Sequence, residues 1–229
     1  MSDHPSRGTA VPPPEAVAYV RDLLAGFGPA WCLCGGWAAD AWLGRQTRDH
    51  CDVDIAVFHR DQHAVFEHLP GWALVAHDPN VPDDTTRQWN GRRLDLPAHI
   101  HVPRLGSPLA TSATLTHTAV EFEFLLNERS GHDWVLNREH GMAVPLERCV
   151  RPSPWGLPTA SAEVVLFFKA GGNLTAAEAE TSTDILRPHD EQDFFALLPI
   201  LTAAQRSWLR ESLGTAQPDH PWLSHLRGR

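Results

Sequence analysis

The sequence predicts an α/β (α+β) chain, a mixed β-sheet flanked by helices over residues 14–150 followed by a helical C-terminal half over residues 151–229. Three observations predict it. Residues 31–57 place an apolar strand, a glycine pair, a short helix and a second strand in fewer than thirty residues. Stretches such as Thr118–Leu126 alternate apolar and polar residues with the period of two that a half-buried strand requires. After Pro158 the apolar residues recur at helical spacing instead.

Taken in order, Met1 to Pro13 is rich in Ser, Gly and Pro without periodicity and is expected to be a disordered lead. Pro14 to Ala25 carries Val17, Val20, Leu23 and Leu24 on one helical face, opened by prolines and closed by Gly26. Ala30 to Cys34 has strand length, Trp37 to Leu43 has helical composition, and Gly44 stands where a helix C-terminus favours glycine. Asp52 to Val57 is the next strand, and His59 to Leu69 a helix ended by Pro70-Gly71. Trp72–Ala76 and His99–Val102 read as strands, with the acidic, proline-containing stretch Asp78–Asp84 between them as a surface loop. His99 and His101 share a strand face, as an ordinary half-polar strand would place them. Asp133–Asn137 and Met142–Leu146 add strand-like runs; Ala160–Ala170 is a helix with a broad apolar face. Asn173–Thr183 is a polar linker; helices follow from Asp190, whose acids either cap the helix, which alone would explain them, or face the cleft, and from Thr202, an N-cap residue.

The 229-residue chain has a formal charge of −9 and a pI near 5.8. That balance lacks the basic stripe of a nucleic-acid binder. No apolar run reaches membrane-spanning length, and the N-terminus has no signal-peptide pattern, so no membrane partner is expected. Cys32, Cys34, Cys51 and Cys149 form no Cys-x-x-Cys pair and are read as buried reduced thiols of a cytoplasmic protein.

The chemistry is concentrated around Gly35-Gly36 and Asp52-Val-Asp54. Glycines between a strand and a helix let backbone N–H groups approach a phosphate, and the helix N-terminus adds positive dipole. Residues i and i+2 of a strand share a face, so Asp52 and Asp54 project side by side while Val53, Ile55 and Val57 fill the other. Two adjacent carboxylates suit hard divalent cations such as Mg²⁺, which complete their shell with water and phosphate oxygens; two acids on a solvated strand edge are the plainer alternative. Further on, Glu121 and Glu123 share the polar face of the strand whose apolar face carries Val120, Phe122, Phe124 and Leu126.

The glycine pair, fifteen intervening residues and then Asp-x-Asp resemble the signature of the DNA polymerase β-like nucleotidyltransferases. The fuller string, through Gly35, Gly36, Trp37, Ala38, Asp40, Leu43, Gly44, Arg45, Thr47, Arg48, His50, Asp52 and Asp54, resembles the aminoglycoside 2″-adenylyltransferase-like branch, kin to the lincosamide nucleotidyltransferases. The resemblance implies the nucleotidyltransferase fold, ATP as co-substrate, two Mg²⁺ ions and a hydroxylated small-molecule acceptor. It implies a third carboxylate on a strand beside Asp-x-Asp, a role open to Glu121 or Glu123. The run from Glu123 to Glu128 followed by Gly131 and Trp134 resembles segments of the same branch and selects Glu123, although aminoglycoside enzymes generally place an aspartate there. Glu163 and Lys169 resemble the first helix after the catalytic sheet, whose lysine reaches the nucleotide phosphates.

On that resemblance the metal ligands are Asp52, Asp54 and Glu123, with Glu123 also taking the acceptor proton. Gly35 and Gly36 carry the triphosphate, Arg48 and Lys169 balance its charge, His50 orients Asp52 or contacts phosphate, and Asp40 braces the Arg48 loop. The expected reaction moves AMP from ATP to a hydroxyl of an aminoglycoside- or lincosamide-like molecule and releases pyrophosphate. The rival readings are AMP transfer to a protein side chain and a non-catalytic nucleotide-binding module.

Overall fold

The computed structural model describes residues 11–78, 88–105, 118–175 and 187–227. The expected lead therefore falls mostly outside the described residues, as do most of the Asp78–Asp84 loop and of the 173–183 linker.

Helix α1 (Glu15–Leu23) precedes strand β1 (Trp31–Leu33), helix α2 (Gly35–Leu43) and strand β2 (Val53–Phe58). Helix α3 (Gln62–His68), after a 3₁₀ turn at His59–Asp61, leads to β3 (Val75–His77) and β4 (His99–Val102). The long β5 (Phe122–Ser130), β6 (Asp133–Asn137) and β7 (Met142–Pro145) follow, then α4 (Leu146–Cys149), β8 (Val150–Pro152) and β9 (Pro158–Ala160). The remainder is helical: α5 (Ala162–Lys169), α6 (Pro188–Leu197) and α7 (Ala203–Ala216). The expected mixed sheet with a helical C-terminal part is what the chain forms.

The strand order is β3-β4-β5-β2-β1-β9-β8, with β6 and β7 continuing from the far end of β5. Pairings β2–β5 and β1–β9 are parallel and the others antiparallel. Residues after 150 thus contribute β8 and β9 to the sheet, so it reaches past residue 150. Pro152 and Pro158 stand opposite each other in that short edge pairing, where a missing N–H is tolerated.

Central strand β2 is buried on both faces, and Val53, Ile55 and Val57 are fully enclosed on the expected face. Helix α2 is buried from Gly36 to Ala41, as a helix apolar all round must be. Its small residues Ala38, Ala39 and Ala41 let it lie close to α5 and α6. Its far end is tied to the sheet by the Trp42 indole N–H donating to the Ala160 carbonyl at 2.7 Å. Gly44 closes it in the left-handed conformation, φ 68°. The helix starts at Gly35, two residues earlier than composition indicated, so the glycines are its first residues.

Strand β5 begins at Phe122, after a bridge from Thr118 to Arg104 has already turned the chain. Phe122, Phe124 and Leu126 are buried on one face as the alternation required. Helix α7 carries the full capping box, with Thr202 accepting from the Gln205 backbone and the Gln205 side chain accepting from the Thr202 backbone. Cys32, Cys34 and Cys149 are buried free thiols; Cys51 is exposed, against expectation, because it precedes β2 on an open turn. Among the described residues no helix is long and apolar enough to cross a membrane.

Candidate active site

The parallel pairing of β2 and β5 places Asp54 directly beside Glu123. Asp52 stands one residue before β2, so only Asp54 of the pair is inside the strand. All three acids line one cavity of about 1000 Å³, together with Gly35, Gly36 and Lys169. Glu121 is not among its lining residues; its carboxylate lies against His101 and Arg104.

The glycine pair is required by what lies against it. A Cβ on Gly35, whose φ is +62°, would stand 1.7 Å from Asp54 Oδ2, and one on Gly36 would stand 2.4 Å from Arg48 Nη2 and 2.6 Å from the His50 ring. The helix start is thus clasped by an acid on one side and two basic groups on the other. Such a cradle leaves backbone N–H groups near the charged side chains that would frame a polyphosphate.

The loop from Arg45 to Cys51 is held from below by Asp40, fully buried on α2. Its carboxylate accepts from the Thr47 backbone N–H at 3.1 Å, from the Thr47 hydroxyl, and pairs with His50 Nε2 at 2.7 Å. Burial pushes Asp40 up, but the His50 and Thr47 hydrogen bonds outweigh it and leave its pKa below the usual carboxylate value. The expected brace is therefore present. His50 differs from expectation in its partner: Nε2 is committed to Asp40, not to Asp52, and the ring packs on Trp37 with centroids 4.2 Å apart.

Arg48 and Lys169 line the cavity, and each is tethered by acids of α6, so of the two readings of those acids, helix capping or facing the cleft, the second is what the structure shows. Arg48 Nη2 lies 3.1 Å from Asp193 Oδ2. Lys169 Nζ lies 2.9 Å from the same oxygen and 2.7 Å from Asp190 Oδ1, while Arg187 Nε is 3.0 Å from Asp190 Oδ2. Asp190 and Asp193 are each only 1 % exposed, so their role is to hold cations. Their spacing of three on one helix face was the available signal, since such acids project together. Glu163, the other residue of the α5 pattern, is buried away from this wall and accepts from Gln205 Nε2 at 2.6 Å, tying α5 to α7.

The acids opposite are under strain of the reverse sign. Burial, then the Asp52 and Glu123 charges, push Asp54 up to about 7 against the pull of Lys169 and Arg187. Burial and the glutamates raise Asp52 as well. For Glu123 burial also acts upward, but the His101 hydrogen bond and the charges of His99 and His101 overcome it, leaving Glu123 below its ordinary value. His101 Nδ1 lies 2.7 Å from Glu123 and Nε2 lies 2.9 Å from Glu121, and these acids raise His101 despite its burial. His77 also stacks nearly parallel on His99, ring centroids 4.6 Å apart, so three histidines of β3 and β4 gather beside the two glutamates.

Among the described residues no group of three or more His, Cys, Asp and Glu side chains stands ready-made to hold a metal ion. The donor chemistry nevertheless fits a hard divalent cation. Carboxylate oxygens held close together, with Asp52 and Asp54 raised by their acidic neighbours, are what such an ion relieves.

Residues 16–84 match the family model described as aminoglycoside-2″-adenylyltransferase. Over those residues the chain is similar to that family. The matched residues include Gly35, Gly36, Asp40, Arg48, His50, Asp52 and Asp54; Glu123 and Lys169 lie outside the match. Among solved structures, lincosamide antibiotic adenylyltransferase LnuA, lincomycin-bound, is 17% identical, with 83% of this chain and 99% of that chain covered and a TM-score of 0.49. The solution structure of the antibiotic-resistance factor ANT(2″)-Ia is 12% identical, with 93% and 96% covered and a TM-score of 0.49. Its crystal structure in complex with adenylyl-2″-tobramycin is 12% identical, with 87% and 95% covered and a TM-score of 0.47. No curated protein matches the chain.

Proposed function

We propose that this adenylyltransferase-like protein transfers AMP from ATP to a hydroxyl of a small molecule, an aminoglycoside or lincosamide class acceptor, in a cytoplasmic setting. The observation that carries this is the glycine cradle: Gly35 and Gly36 open α2 in direct contact with Asp54, Arg48 and His50, with Glu123 on the next strand.

The triphosphate lies along the start of α2, its charge met by Arg48 and Lys169, which Asp193 and Asp190 hold in place. Asp52, Asp54 and Glu123 would hold Mg²⁺, which would supply neutralisation of charge on the phosphate oxygens. The acceptor hydroxyl oxygen forms a bond to the α-phosphorus in line as the bond to the β-phosphate oxygen breaks. The hydroxyl proton passes to the Glu123 carboxylate, and pyrophosphate leaves. Glu123 is a weak base where it stands, which suits a transfer whose catalysis is mainly positioning and charge stabilisation.

The test is pyrophosphate release from ATP and Mg²⁺ across a panel of aminoglycosides and lincosamides, with Asp54→Asn as blank. Release with one drug class and none in the blank is expected. Silence across the panel, together with AMP labelling of a protein in lysate, would move the acceptor to a protein side chain.

A further inference from the structure

The Glu121–His101–Glu123 cluster is more elaborate than a proton acceptor needs. The antiparallel ladder of β4 and β5 sets His101 opposite Glu123. The two glutamates, two residues apart on one strand face, are spanned by the single imidazole: Nδ1 to Glu123 Oε1 at 2.7 Å and Nε2 to Glu121 Oε1 at 2.9 Å. His101 is 6 % exposed, so the ring has little room to turn. Arg104 Nε, 3.6 Å from Glu121 Oε2, steadies the outer end.

The consequence is asymmetric. Glu123 Oε1 is committed to the ring, whereas Oε2 has, among the described residues, only His99 Nε2 at 3.9 Å. A glutamate side chain has three rotatable bonds, and holding one oxygen removes most of that freedom before any substrate arrives. Only Glu123 of the three lines the cavity; His101 and Glu121 do not, and they act through it.

We propose that His101 is a positioning residue: clamped between Glu121 and Glu123, it fixes the Glu123 carboxylate so that Oε2 is the oxygen presented to the cavity, where metal and acceptor hydroxyl meet. This rests on the reading of Glu123 as the group that takes the acceptor proton. Glu121 thereby acquires a role at one remove, as the anchor of the clamp. An imidazole flanked by two carboxylates is also self-correcting in orientation, because both ring nitrogens face an acceptor and a flipped ring would lose both contacts.

The experiment compares wild type with His101→Phe, His101→Asn, Glu121→Gln and Glu123→Gln, read by crystal structure, thermal melt, ATP–Mg²⁺ affinity by calorimetry, and pyrophosphate release. Phenylalanine keeps the ring's bulk without its nitrogens; asparagine restores a donor near the position of Nδ1. In the crystal, Glu123 is expected in one conformation in wild type and spread over several in His101→Phe. In turnover, His101→Phe lowers kcat about 10- to 100-fold with KM for ATP and ATP affinity within twofold of wild type. His101→Asn recovers at least a third of the lost factor on a logarithmic scale, and Glu121→Gln falls between. A single unchanged Glu123 conformer in a folded His101→Phe protein overturns the proposal, as does a kcat within twofold of wild type. Loss of ATP affinity in step with kcat, with a lowered melt, assigns His101 a merely structural role and overturns it too. Failure of the underlying reading is separate: Glu123→Gln then retains full activity, or wild type accepts no panel compound, while the crystallographic comparison still decides the clamp.

Discussion

The Oδ2 atom of Asp54 lies 1.7 Å from where a Cβ on Gly35 would stand, so the first residue of α2 and the buried acid of β2 can coexist only if position 35 has no side chain. Gly35 also sits at φ +62°, where an L side chain is strained. Gly35→Ala is therefore expected to displace Asp54, to lower transfer at least a hundredfold and to cost about 1–3 kcal/mol of stability. Gly36→Ala meets only side-chain ends, Arg48 Nη2 and the His50 ring, and its defect should appear mainly as a raised KM for ATP. Steady-state kinetics on both variants checks the contrast.

Asp54 is the group whose protonation should couple metal binding to pH. Its pKa in the folded chain, about 7, lies above its unfolded value near 4. A raised pKa means that the stability associated with the proton is fully present below about 4 and is lost as pH climbs through 7. Without metal, Asp54→Asn should melt above wild type at pH 8, by about 4 kcal/mol or roughly 8–16 °C, and the gap should narrow as pH falls through 7 and close below about 4. Mg²⁺ should raise the wild-type melt more at pH 8 than at pH 6, because below 7 it must displace a proton. Differential scanning calorimetry at the two pH values, with and without Mg²⁺, is the measurement.

Much of this was legible in the chain because the signals were local. Gly35-Gly36, Gly44, the buried face through Val53, Ile55 and Val57, and the Thr202 cap each depend on neighbours within a few residues. What was not legible depends on distant pairings. Asp193 reads as a first-turn acid until Arg48 is brought to it across 145 residues of sequence. His101 reads as half of an ordinary strand face until the β4–β5 register sets it opposite Glu123. Strands β8 and β9 were hidden by prolines, whose turn propensity a short edge position overrides.

Asp193 supports a second prediction about charge. Its Oδ2 is shared by Arg48 and Lys169, and it is buried, so removing its charge leaves two cations facing an uncharged amide. Breaking such a buried pair costs about 3–5 kcal/mol. Asp193→Asn should therefore lower the melting temperature by roughly 6–15 °C. Lys169 retains Asp190, so the nucleotide defect should come chiefly from Arg48. ATP affinity by calorimetry is expected to weaken about tenfold, an effect that Asp193→Asn should share with Arg48→Met and that the double variant should not deepen, as coupled partners require.

Asp40 makes the last test, because it works on the site without lining its cavity. Its carboxylate gathers the Thr47 backbone N–H, the Thr47 hydroxyl and His50 Nε2, fixing the loop that carries Arg48. Asn at this position keeps one acceptor oxygen but turns an NH₂ toward a donor, leaving a buried mismatch that costs about 1–3 kcal/mol, or roughly 3–10 °C. Asp40 is held below its ordinary pKa, so its contribution is present above the unfolded value and is lost as pH falls through the folded one. The melting gap between wild type and Asp40→Asn should thus be widest at neutral pH and shrink below about pH 4. Because His50 and Arg48 both lie over Gly36, loosening their loop should raise KM for ATP several-fold while leaving Glu123 and its partners on β4 undisturbed. An Asp40→Asn protein with unchanged KM and a lowered kcat would instead place the loop's influence on the transfer step.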